Sequence, residues 1–156
     1  MVTTIADSRS PNPPAATLGD VAARLRLAII RTARRLRQEA GTGLSPSQSA
    51  ALATIERNGP VTPSELASLE RIQRPTATRI IALLEEGGLI ERAADPLDGR
   101  SSLVSTTARG RGLLKKLRTR KNAYLARRLR DLDPDEVETL ARAAEILERL
   151  QDGERG

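Results

Sequence analysis

Arg74, Pro75, Thr76, Thr78 and Arg79 fall within one six-residue stretch, and Asp98-Gly99-Arg100 follows further along the chain. An arginine guanidinium presents a donor fork that matches guanine O6 and N7 or a phosphate, and a short threonine hydroxyl reaches either. The chemistry these side chains offer is recognition of a polyanion, not bond making. With no cysteine and no histidine in 156 residues, thiol redox switches, disulfides, zinc fingers and Ser-His-Asp triads are excluded. The remaining candidates for catalysis, such as Glu85 and Glu86, sit in no recognisable cleft motif, so the reading is of a protein that is not an enzyme. Asp131, Asp133 and Asp135 mimic the opening of a calcium loop. The mimicry fails, because Pro134 interrupts it, Glu136 stands where glycine is needed and Arg142 where the closing glutamate would be. Gly41-Thr42-Gly43 and Gly110-Arg111-Gly112 lack the spacing of a phosphate-binding loop. No cofactor and no metal are expected.

The distribution of charge sharpens that reading. The formal net charge is +6, yet residues 71–130 carry 15 basic and 5 acidic side chains while residues 131–156 carry 3 and 9. A polyanion would therefore sit on the middle of the chain. No run of apolar residues approaches a membrane span, and the start lacks the apolar core of a secretory signal, which points to the cytoplasm and to no membrane partner.

The elements that must hold those arginines are announced locally. Three sites share one device, a capping side chain followed by proline, with Glu or Gln three residues after the cap: Ser45-Pro46-Ser47-Gln48, Thr62-Pro63-Ser64-Glu65 and Asp133-Pro134-Asp135-Glu136. Proline at the first helical position forfeits no hydrogen bond, so helices are expected to start near 46, 63 and 134. The second of these is short, about Pro63 to Glu70, with Leu66 and Leu69 as its inward face. A further helix from Arg74 or Pro75 to Glu86 has Ala77, Ile80, Ile81 and Leu84 as its inward stripe, which leaves Pro75, Thr78, Arg79 and Ala82 on the opposite side with Thr76 flanking. Strand-like segments at 89–93 and 101–105 flank turn chemistry at 95–99, a small hairpin with Arg100 near its tip. Long amphipathic helices are expected at both ends: one from Leu18 to about residue 40, one from Ala108 to about Arg130, and a last one from Pro134 to about Leu150. The second of these is expected to bury Leu113, Leu114, Leu117, Tyr124, Leu125 and Leu129, and the last Val137, Leu140, Ala144 and Leu147. Residues 1–16, with Ser8, Ser10, Pro11, Pro13 and Pro14, read as a flexible arm.

Two helices joined by a tight turn and followed by a two-stranded ribbon make a winged helix-turn-helix, with the second helix entering the major groove. The fold class is thus mainly α with a small β-hairpin wing: residues 45–107 form the winged helix-turn-helix domain, and 17–40 with 108–151 a helical dimerisation region. From Leu18 to about Leu150 the sequence resembles the MarR (multiple antibiotic resistance regulator) family of transcription factors. The resemblance is carried by Ser64-Glu65-Leu66-Ala67, by Thr78-Arg79-Ile80-Ile81 through Leu84-Glu85-Glu86-Gly87-Gly88-Leu89-Ile90-Glu91-Arg92, and by Asp98-Gly99-Arg100 followed by Val104 and Thr107-Ala108-Arg109-Gly110. It implies a base-reading role for Arg79, and for Asp98 and Arg100 a mutually supporting pair that places the arginine on DNA. Thr106 stands where the family usually has Leu, and Gln73 where the reader helix usually has a Ser or Thr cap.

The resemblance further implies an obligate homodimer built from the first helix and the last two, and therefore a pseudo-palindromic operator with half-sites about 10 bp apart. The sequence agrees, since those helices hold more apolar surface than a small core needs and their segments have opposite charge. Such a dimer would repress by occupying a promoter. Family members commonly take small aromatic acids as effectors. One tyrosine without Trp or Phe fits an aromatic pocket poorly, so the effector expected here is a lipophilic acid in an aliphatic cavity rimmed by arginine. The competing reading is a winged-helix module that binds protein, or that binds DNA without sequence preference.

Overall fold

The structure is a computed structural model that describes residues 16–41 and 43–152. Residues 1–15 of the expected N-terminal arm lie outside the described residues, as does Thr42. Six helices and one hairpin follow in the order α1 (Leu18–Ala40), α2 (Pro46–Asn58), α3 (Pro63–Leu69), α4 (Arg74–Glu86), β1 (Ile90–Ala94), β2 (Ser102–Thr106), α5 (Ala108–Leu129) and α6 (Pro134–Asp152). The described residues divide into two compact units, one up to Arg35 and one from Leu36. Residues 16–35 belong to the first, where the Asp20 carboxylate accepts from both the backbone amide and the hydroxyl of Thr17 and so closes the first turn of α1.

All three expected caps form. Ser45 and Thr62 each accept from the backbone amide three residues on, while Gln48 and Glu65 accept from the cap amides in return. Asp133 and Glu136 exchange the same pair of bonds at the start of α6. Each box satisfies backbone donors that the first helical turn leaves without partners.

The core of the second unit lies where α2, α3, α4 and the hairpin meet. Leu52, Ile55, Leu66, Ile81, Leu84 and Val104 are fully buried there, with Ala51, Val61, Ile80, Leu89 and Ile90 around them. The inward stripe of α4 is as expected, since Ala77, Ile80, Ile81 and Leu84 are all buried. That of α3 is corrected: Leu66 is buried, but its buried neighbour is Ala67, and Leu69 is half exposed. Only seven residues long, α3 turns the last of them outward, beside a cleft lined by Asn58, Val61 and Ser68.

The outer helices differ from expectation more. In α5 Leu117 is buried and Leu113, Leu114, Tyr124 and Leu129 are half-buried, while Leu125 is exposed. In α6 no described residue is buried: Val137, Leu140 and Ala144 are exposed and Leu147 is half-buried. Their periodicity is that of a covered face, which among the described residues stays largely exposed.

β1 and β2 pair antiparallel in the register Ile90 to Thr106, Arg92 to Val104 and Ala94 to Ser102. Val61 joins the sheet through one bridge to Val104, its amide donating to the Val104 carbonyl at 3.0 Å and its carbonyl accepting from the Val104 amide at 2.8 Å. The hairpin is thereby fixed to the segment that leads into α3. Among the described residues no helix is long and apolar enough to cross a membrane.

Candidate nucleic-acid interface

α3 and α4 are joined by the turn Glu70 to Gln73. Arg71 adopts φ +53°, its amide donates to the Ser68 carbonyl at 3.2 Å and that of Ile72 to the Ala67 carbonyl at 2.9 Å. This is a Schellman closure with arginine where glycine is usual, a position that costs an L-residue about 1–2 kcal/mol. The turn is held from outside: the Thr54 hydroxyl on α2 donates to the Glu70 carboxylate, and Arg57 donates to the same hydroxyl at 3.2 Å. Thr54 is buried, so the pair clasps the turn to α2 at the point where α4 begins.

From that turn α4 projects Arg74, Pro75, Thr76, Thr78 and Arg79, every one of them exposed. At 100° per residue Pro75, Arg79 and Ala82 lie opposite the buried stripe, with Thr76 and Thr78 on either flank. Gln73, at the cap position, makes no side-chain cap bond. Proline at Pro75 removes one of the donors a cap would have served.

The C-terminal end of α4 is closed by Gly88 at φ +66°, with Gly88 donating to Glu85 and Leu89 to Leu84, both at 2.9 Å. The chain passes directly into β1. Arg92 on β1 returns to α4 and pairs with Glu85 at 2.8 Å, which braces the hairpin against the helix.

The β1–β2 connection is exposed from Pro96 to Arg100 and is shaped by two aspartates. Asp95 accepts from the Leu97 amide at 2.9 Å, and Asp98 from the Arg100 amide at 3.0 Å. Between Asp98 and Arg100 the contact thus runs from carboxylate to backbone amide, and the Arg100 side chain is exposed. Among the described residues it forms no ion pair with Asp98.

Of the residues that shape this surface, sequence reasoning missed Thr54, Glu70, Glu85 and Arg92. Thr54 and Glu70 stand 16 residues apart, and no local pattern marks such a pair. Glu85 and Arg92 are seven apart across a turn.

The architecture is shared with known regulators. The MarR family model matches residues 42–101. The HTH-type transcriptional regulator MT0903.1 of Mycobacterium tuberculosis is 39% identical over 133 residues, which cover 85% of this chain and 93% of that one. This chain belongs to the MarR family. A crystal structure of a Pseudomonas aeruginosa protein described as a transcriptional regulator superposes with a TM-score of 0.77 at 39% identity, covering 86% of this chain and 97% of that one. MarR itself from Escherichia coli, at 23% identity and a TM-score of 0.69 over 85% of this chain and 98% of that one, shares the fold. As a MarR-family member the protein is a DNA-binding transcriptional regulator and not an enzyme.

Proposed function

We propose that the protein is a cytoplasmic homodimeric repressor that reads a pseudo-palindromic operator. Residues 45–107 would form the reading domain, with Arg79 on base edges in the major groove, Arg74, Pro75, Thr76 and Thr78 around it, and Arg100, poised by Asp98, on the backbone or in the adjacent minor groove. The observation that carries this is the division of α4, with its stripe from Ala77 to Leu84 buried and its arginine and threonine face entirely exposed.

Dimerisation through residues 17–40 and 108–151 is supported by uncovered apolar side chains. Val21, Leu25, Ile29 and Ile30 on α1 and Val137, Leu140, Ile146 and Leu150 on α6 are all more than a third exposed. Helical faces of this kind are ordinarily covered by a partner.

An effector is supported by a groove of about 370 Å³ between α2 and α5. Ala53, Leu114 and Leu117 line it, and the cations Arg57, Arg118 and Lys121 outnumber its single carboxylate, Glu56. That chemistry suits a small lipophilic acid. Arg57 also donates to Thr54, so an anion there would compete for the arginine that steadies the turn before α4.

The test is fluorescence anisotropy on the DNA upstream of the protein's own gene against a shuffled duplex, across a salt series. A preference of about 10³ or more for the native site is expected. Equal binding to both, governed by salt alone, would favour a module that reads charge.

A further inference from the structure

Leu97 at the hairpin tip is 96% exposed, the most exposed large hydrophobic side chain among the described residues. Unlike the apolar residues of α1 and α6, it belongs to no helical face that a second helix would cover. Its backbone is nevertheless fixed. The Leu97 amide is held by Asp95, the Arg100 amide by Asp98, and the loop is closed by the Asp95 amide donating to the Ser101 carbonyl at 3.1 Å and the Ser101 amide to the Asp98 carbonyl at 2.9 Å. Gly99 has nothing within 4 Å of where a Cβ would stand, so the tip is slender. It therefore presents one apolar prong and, three residues later, one cationic prong on a pinned loop.

A DNA minor groove about 6 Å wide accepts such a tip: deoxyribose walls are apolar, and A·T floors carry the negative potential that draws arginine. Guanine alone places an amino group on that floor. A leucine there would strip water from the amino group without replacing its hydrogen bond, which is unfavourable. The geometry points to Leu97 as a specificity-determining residue that enters the minor groove beside Arg100 and rejects G·C pairs under the wing. This rests on the DNA-reading role proposed above for the wing.

The experiment uses the full-length protein and an operator duplex selected from a random pool, with the pairs beneath the wing made A·T, inosine·C or G·C. Inosine·C has the major-groove face of G·C but lacks the minor-groove amino group. The wild type should bind the A·T and inosine·C duplexes alike and the G·C duplex about tenfold more weakly. Leu97→Ser should bind all three alike, with the G·C duplex raised towards the wild-type A·T level and an unchanged salt slope, and Leu97→Met should restore the preference. Arg100→Ala, by contrast, should flatten the salt slope by about one. Leu97→Ser that keeps the wild-type preference overturns the assignment. So does a variant whose binding falls on every duplex with a flattened slope, because Leu97 would then be shaping the loop. A wild type that does not distinguish the selected operator from a shuffled duplex removes the DNA-reading role itself, and is told apart from these outcomes before any variant is made.

Discussion

The Cα of Gly110 lies beneath the carbonyl of Leu89, so closely that a Cβ would stand 2.1 Å from the Leu89 oxygen and 2.7 Å from Thr106 Cγ2. The same carbonyl accepts from the Thr107 amide at 3.0 Å, while the Thr107 hydroxyl donates to the Gly88 carbonyl at 2.7 Å and accepts from the Gly110 amide at 3.1 Å. The start of α5 is thereby bolted to the base of the wing. A backbone oxygen cannot rotate aside as a side chain would. Gly110→Ala should lower stability by an amount at the upper end of about 1–3 kcal/mol. Gly112→Ala, with open space around it, should be neutral or raise stability by up to about 1 kcal/mol. Thermal unfolding of the pair checks this, and equal midpoints would contradict the close approach.

Thr106 offers the opposite case. Its hydroxyl is buried and has no hydrogen-bond partner among the described residues, although its carbonyl accepts from Arg111 at 2.7 Å. Valine keeps the shape and the strand preference while removing the stranded oxygen. Thr106→Val should stabilise the protein by about 1 kcal/mol, read as a midpoint rise of about 2–4 °C for a chain of this size. A fall would mean that the hydroxyl is served by a group in the folded protein.

What the sequence revealed and what it hid follow one physical line. The three capping boxes were legible because cap, proline and Glu or Gln lie within four residues and settle their own backbone donors. The stripe of α4 was legible because its buried and exposed sides alternate with the helical period. The Thr54–Glu70 clasp was not, since only the docking of α3 on α2 brings those residues together. Leu69 was misassigned because a seven-residue helix leaves too few positions for periodicity to choose between neighbours. For α6 the stripe announced that a face would be covered without saying by what. Placing Arg79 and Arg100 on exposed positions required little more than the pattern. That Asp98 would hold a backbone amide and not the guanidinium required the folded loop.

The uncovered face of α6 gives a third expectation. Leu140→Glu and Ile146→Glu set charges into a surface that the dimer would bury, where an unpaired carboxylate is strongly disfavoured. Sedimentation should show the wild type as a dimer and the double variant shifted towards monomer, with far weaker operator binding. A wild type that sediments as a monomer at micromolar concentration would contradict the dimer.

Acid should loosen α3 late. The Thr62 backbone amide, donating to Glu65 at 2.7 Å, and then the Thr62 side chain hold the Glu65 carboxyl below its ordinary value of 4.5. A folded-state value below the unfolded one means that the capping box contributes fully above about pH 4.5, and that this contribution is lost as pH falls through the lowered value. An NMR titration of the Glu65 carboxyl should have its midpoint below 4.5, and Thr62→Ala should move it upward. A wild-type midpoint at or above 4.5 would show that the box does not persist in solution.

The most direct test of the central claim is a base-substitution profile of the operator for Arg79→Ala and Arg100→Ala beside the wild type. Arg79→Ala is expected to lose discrimination at one base pair in each half-site, by about 1–3 kcal/mol for a bidentate contact to guanine. Arg100→Ala should weaken binding to all duplexes with little change in major-groove preference. If Arg79→Ala kept the wild-type profile at every position, α4 would not be reading bases through this face.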